Sequence, residues 1–226
     1  MTFNPTVIHR LDRWAASLRD LAPVLRGETA SVTIDDIRRS YVRTMAEHPT
    51  PADMRIEQID MGGVPATLVT PPEVAGDRVL FYIHGGAYIV GGPGGYHGLA
   101  AAFARALKAR VYLPDYRLAP EHPFPAAVED AAAVVRWVHA HAGDLRVCPD
   151  SLSVAGDSAG ANLATVAALS VRDDADLQLV HQLLFYPVTD LSQESEGYER
   201  CGEGYFLTTE LMRYFKQHYL DNPRTA

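Results

Sequence analysis

The sequence predicts an α/β fold: a doubly wound, mostly parallel sheet with helices on both faces. Two observations carry this. Short apolar runs at 78–83, 110–114, 151–156 and 180–186 alternate with Ala-rich helical stretches at 97–108, 124–142 and 158–172. Continuous apolar strands separated by helices need both sheet faces covered, and the crossovers then share one hand. The length of 226 residues also fits one large domain, or one domain with a small accessory layer. In such a fold, ligands bind beyond the carboxyl ends of the strands.

The elements follow in order. Val7, Ile8, Leu11, Trp14, Ala15 and Leu18 recur at helical spacing over 6–20, and "TIDDIRRSYVRTMAEH" repeats the pattern behind a capping Thr33. "HPTPAD" breaks the helix, and Arg55 to Asp60 and Val64 to Thr70 read as short strands around Gly62 and Gly63. The alternating βα pattern then runs to Pro187. A polar, glycine-bearing segment follows and feeds a last helix from Thr208 to Leu220.

Composition excludes several classes. A net charge of -8 and a pI near 5.5 leave no basic footprint for nucleic acid or for an anionic membrane. Cys148 and Cys201 are too few for a disulfide scaffold and lack the paired spacing of a zinc site, so a cytoplasmic protein without metal is expected. "MTFNPTVIHRLDRWAASLRDL" has no apolar signal core, and no stretch approaches a membrane-spanning length.

Three motifs carry chemistry. "SVAGDSAGANL" holds Gly156-Asp157-Ser158-Ala159-Gly160, a G-x-S-x-G between an apolar strand and an Ala-rich helix. That context exposes a serine hydroxyl at the mouth of the sheet, beside a helix start whose free N–H groups favour an oxyanion. "HGGAYIVGG", from His84 to Gly92, ends another apolar strand. Its glycines let backbone N–H groups point into a pocket, although H-G-G alone also fits an ordinary strand exit. "DYRLAPEHPFPAAVED" (115–130) reads as a rigid crossover loop supporting the sheet edge, with no catalytic role derivable from its residues.

In this order and spacing, the three motifs resemble the hormone-sensitive lipase branch of the α/β-hydrolases, bacterial esterases with an H-G-G-G loop and a G-D-S-A-G elbow. The resemblance implies an α/β-hydrolase core with a helical cap: cap helices in 1–50, the core in 51–190, and a cap insertion in 191–226. It implies Ser158 as nucleophile and the N–H groups of Gly85, Gly86 and Ala159 as oxyanion hole, with Ala87 in place of the third glycine. The implied reaction is hydrolysis of a small-molecule ester with a short or medium acyl chain, through an acyl-serine and without any cofactor. Tyr88, Tyr205, Phe206 and Tyr214 are candidate pocket aromatics.

The family's acid segment after a seventh strand and its base segment after an eighth have no counterpart in the 226 residues. The last two βα units are therefore expected to be lacking, the chain looking cut within or just after the cap insertion. Of the histidines after Ser158, His181 begins a parallel strand, about 17 Å from its carboxyl end, and His218 shares a packing face with Leu211, Tyr214 and Phe215. His84, His97 and His122 lie near the mouth, and Asp190 leaves the sixth strand at the correct end. Impaired turnover is expected, and so is self-association through the apolar edge "VHQLLFYPV". The alternative is a receptor-like protein that keeps the pocket without catalysis.

Overall fold

The computed structural model describes residues 33–203 and 207–220. The expected helix at 6–20, Tyr205 and Phe206 lie outside the described residues.

Helix α1 (Ile34–Met45) opens on a capping box. The Asp36 N–H donates to Thr33 Oγ1 at 3.2 Å, and the Thr33 N–H donates back to Asp36 Oδ2 at 2.9 Å, satisfying two donors that a helix start leaves open. Strands β1 (Arg55–Asp60) and β2 (Pro65–Thr70) form an antiparallel hairpin. Its turn uses positive φ at Gly62 and Gly63, 73° and 95°, the region glycine enters freely.

The alternating core follows: β3 (Val79–Ile83), α2 (His97–Leu107), β4 (Arg110–Pro114), α3 (Ala126–Ala140), α4 (Ala142–Leu145), β5 (Leu152–Asp157), α5 (Ala159–Val171) and β6 (Leu179–Phe185). Helices α6 (Glu196–Arg200) and α7 (Thr209–Leu220) come last. The helix expected over 124–142 starts two residues late, because Pro123 and Pro125 occupy its approach, and it breaks at His141 before α4.

The six strands are ordered β1-β2-β4-β3-β5-β6, with β4, β3, β5 and β6 parallel and β2 antiparallel to both of its neighbours, β1 and β4. One face packs Leu80, Tyr82, Leu113 and Ala155 against Ala100, Ala101 and Ala104 of α2. The other packs Phe81, Ile83 and Val154 against Val134, Val135 and Val138 of α3 and Leu163, Ala164 and Ala167 of α5. Chain direction across the sheet reverses at β3, which lies between β4 and β5, so the crevice for ligand opens beyond the ends of β3 and β5. At the far edge β6 is largely uncovered: Val180 is 47% exposed and Leu183 43%.

Candidate functional site

Ser158 sits at the junction of β5 and α5 with φ 54° and ψ -120°. A non-glycine residue holds such a conformation at a cost of about 1–3 kcal/mol, and only where its surroundings enforce it. Here the Ser158 N–H donates to the Phe185 carbonyl at 2.9 Å, while its own carbonyl accepts from Asn162 at 3.2 Å and Val188 at 3.3 Å. The flanking glycines have a steric cause. A Cβ at Gly156 would lie 2.5 Å from the Gly160 carbonyl carbon, and one at Gly160 would strike the carbonyls of Ile83 and His84. Among the described residues, nothing hydrogen-bonds the half-buried Ser158 hydroxyl.

The loop after β3 lies beside this turn because β3 and β5 pair in register up to Ile83 and Gly156. Gly86, at φ 127°, closes a tight turn: its carbonyl accepts from Ile89 at 3.0 Å and Val90 at 2.9 Å. A Cβ there would meet the Val90 carbonyl. Ala87 and Tyr88 also take positive φ, 54° and 64°. The Tyr88 hydroxyl donates to Asn162 Oδ1 at 3.0 Å, and Asn162 Nδ2 donates to the Val188 carbonyl at 2.8 Å, so one amide side chain joins this loop, the elbow helix and the exit of β6.

Residues 115–130 support this loop rather than the sheet edge. The Tyr116 hydroxyl donates to the His84 carbonyl at 2.9 Å, and the Ala119 N–H donates to the Tyr88 carbonyl, also at 2.9 Å. Arg117 braces the segment on buried Asp130, with its N–H at 2.8 Å and guanidinium nitrogens from 2.8 Å. From outside, Arg38 of α1 donates to the carbonyls of Ile89 at 2.8 Å and Ala119 at 2.9 Å, and pairs with Glu121. No sequence pattern tied Arg38 or Asn162 to the site, since their partners, main-chain carbonyls together with Glu121 and Tyr88, lie far away in sequence and are brought close only by folding.

One expectation is corrected. The Gly85 N–H donates to Asp157 Oδ1 at 3.0 Å, so this amide is consumed and is not free for an oxyanion. The N–H groups of Gly86, Ala87 and Ala159 have no acceptor among the described residues. A glycine pair in a sequence does not reveal which of its amides a neighbouring carboxylate will take. Asp157 also accepts from the hydroxyls of Tyr82 at 3.0 Å and Tyr96 at 3.3 Å. Burial pushes its carboxyl upward, and those donors pull it back.

A family profile described as alpha/beta hydrolase fold matches residues 80–226. A crystal structure of an esterase from the bacterial hormone-sensitive lipase family superposes with a TM-score of 0.81 at 31% identity, covering 99% of this chain and 71% of that one. The chain belongs to that family. A hyperthermophilic esterase of the archaeon Pyrobaculum calidifontis gives a TM-score of 0.81 at 29% identity, over 100% of this chain and 73% of that one. Among curated relatives, a carboxylesterase of Mycobacterium tuberculosis is 38% identical over 78% of this chain and 60% of its own length. An ethyl acetate hydrolase of Pseudomonas putida is 32% identical over 84% of this chain and 63% of its own. The chain thus spans about three fifths of the curated relatives it matches.

Among the described residues, no histidine of this hormone-sensitive lipase family chain hydrogen-bonds Ser158. His84 is buried, and its Nδ1 donates to the Gly85 carbonyl at 2.8 Å; burial holds it neutral by lowering its pKa to about 4. His97 opens α2, and burial lowers its pKa too. His122 is exposed on the 115–125 loop. His181 pairs with Ser153 at the entry end of β6, remote from the mouth. His218 stacks on Tyr214 at 3.7 Å, with its nitrogens 2.7 Å from that hydroxyl and 2.9 Å from its carbonyl. Asp190 is exposed and holds Ser192 and Gln193, which lowers its pKa.

Helix α7 closes one side of the site. The Tyr219 ring stacks on Tyr88 at 3.8 Å, and its carbonyl accepts from the Phe124 N–H at 2.7 Å. Among the described residues there is no cluster of metal-binding side chains, and no helix is long and apolar enough to cross a membrane.

Proposed function

We propose that this chain carries the nucleophile and oxyanion half of a serine carboxylesterase acting on small esters with short or medium acyl chains. The observation that carries the reading is the strained Ser158 at the end of β5, flanked by the unclaimed amides of Gly86, Ala87 and Ala159. In the reaction, Ser158 Oγ attacks the ester carbonyl carbon and gives its proton to a base. The carbonyl oxygen becomes an oxyanion and accepts from those three N–H groups, aided by the positive end of α5. Collapse expels the alcohol and leaves an acyl-serine, which water then hydrolyses, releasing the acid. The relatives named as a carboxylesterase and an ethyl acetate hydrolase support the substrate class.

The accessory segments fit a cap: α1 grips the loop of Gly86 through Arg38, and α7 lies over Tyr88. Among the described residues no histidine engages Ser158, and an oxyanion hole with binding alone supplies on the order of 10³-fold over water. The same observation favours a second reading, a receptor-like protein that binds a small molecule without cleaving it. We also assign β6 as the edge through which two copies of the chain associate, given its exposed Val180 and Leu183.

Labelling with a fluorophosphonate tests the main reading. Stoichiometric modification that Ser158→Ala abolishes is expected. No labelling, with small-molecule binding retained, would favour the receptor-like reading.

A further inference from the structure

The reaction above leaves Asp157 without a role, yet its carboxylate is the hub of the buried polar groups around Ser158. Strand alternation turns it to the face of Tyr82 and Ala155, away from Val154. There it gathers hydroxyls from β3 and from Tyr96, which precedes α2, together with the Gly85 N–H. The backbone ladder between β3 and β5 stops at Ile83 and Gly156, and the backbone of Asp157 pairs the other way, with Phe185 of β6. The Gly85 to Asp157 bond is therefore the next rung of that ladder, made by a side chain. A Cβ at residue 85 would collide with the carboxylate, so glycine there lets the acid reach the main chain.

We propose that Asp157 is a positioning residue for ester hydrolysis: through the Gly85 N–H it holds the 84–92 loop so that the amides of Gly86 and Ala87 face Ser158. The proposal rests on the esterase reading. Its physical basis is that Asp157 and Ser158 are adjacent in the chain, so the carboxylate fixes the oxyanion donors to the nucleophile's own backbone with no mobile segment between them. An acceptor is what the geometry requires, and Asn provides one: its Oδ1 can take the Gly85 N–H and the Tyr82 hydroxyl while its Nδ2 meets the Tyr96 oxygen.

Two measurements on the full 226-residue chain test this: the rate of Ser158 phosphonylation by a fluorophosphonate, and amide hydrogen exchange across 84–92. Asp157→Ala is expected to slow phosphonylation about 100-fold, the scale of a lost oxyanion donor, and to raise exchange at 84–92 while β3 and β5 stay protected. Asp157→Asn is expected to stay within about tenfold of wild type in rate and to keep the loop protected. Val138→Ala, a buried truncation on α3 away from the site, controls for general destabilisation and should leave both readouts near wild type. Wild-type rate and protection in a folded Asp157→Ala would overturn the proposal, as would an equal loss in Val138→Ala. If Asp157→Ala does not fold, Asp157→Asn decides: a 100-fold slower rate with the loop still protected would mean that charge, not the strut, matters. If wild-type Ser158 is inert, the esterase reading falls, and exchange at 84–92 alone decides whether the strut exists.

Discussion

The ring of Tyr116 stacks on His84 at 4.3 Å while its hydroxyl donates to the His84 carbonyl at 2.9 Å. That clamp walls the imidazole off from water. One nitrogen is satisfied by the Gly85 carbonyl, and the other, Nε2, has no partner among the described residues. The ring is thus built to stay neutral, and this has a measurable consequence.

A histidine whose folded pKa is depressed costs stability as pH falls, because the unfolded chain takes up a proton that the fold refuses. With an ordinary value of 6.5 and a folded value of about 4, the loss begins near pH 6.5 and is complete near pH 4, on the order of 3 kcal/mol. Urea midpoints followed across that window should decline. His84→Asn, which keeps a donor for the Gly85 carbonyl, should begin less stable at pH 7 and decline less steeply. Equal slopes for the two proteins would refute the assignment.

Ser158→Gly removes the nucleophile and also the Cβ that makes φ 54° costly. Relief of about 1 kcal/mol, net of the extra freedom of the unfolded chain, should raise Tm by about 2–4 °C while eliminating fluorophosphonate labelling. A Tm equal to or below wild type would mean that the elbow stores no strain.

Gly86→Ala places a methyl group against the Val90 carbonyl at φ 127°. Because the obstacle is backbone of the same turn, the loop must shift. We expect about 100-fold slower labelling of Ser158 with a stability loss of about 1–3 kcal/mol, read by parallel kinetics and denaturation.

The uncovered β6 edge should make the chain associate as concentration rises. In sedimentation velocity, Val180→Lys with Leu183→Lys should return the protein to monomer, since edge lysines oppose strand pairing. A wild-type chain that stays monomeric across the concentration series and unfolds in one cooperative step would contradict this.

Much of the fold was legible because its signals are local. The apolar runs became β3 to β6, with ends within about two residues of their expected positions; β3, β4 and β5 are apolar because a strand buried on both faces must be so throughout, whereas β6 carries the same pattern at an uncovered edge. Thr33 capped α1 as its residue type indicated. The segment 115–130 was less legible: its tyrosine and arginine act on main-chain carbonyls and on Asp130, partners that carry no pattern in sequence.

By itself the sequence determined the α/β order, the serine elbow with its flanking glycines, and the glycine loop at the end of β3. Only the tertiary structure decided which amides that loop leaves free. Gly85 and Gly86 are chemically alike and adjacent, but Asp157 arrives from 72 positions away and consumes the first. The physical reason is that hydrogen-bond donors are claimed by proximity, and proximity here follows from the register of β3 against β5.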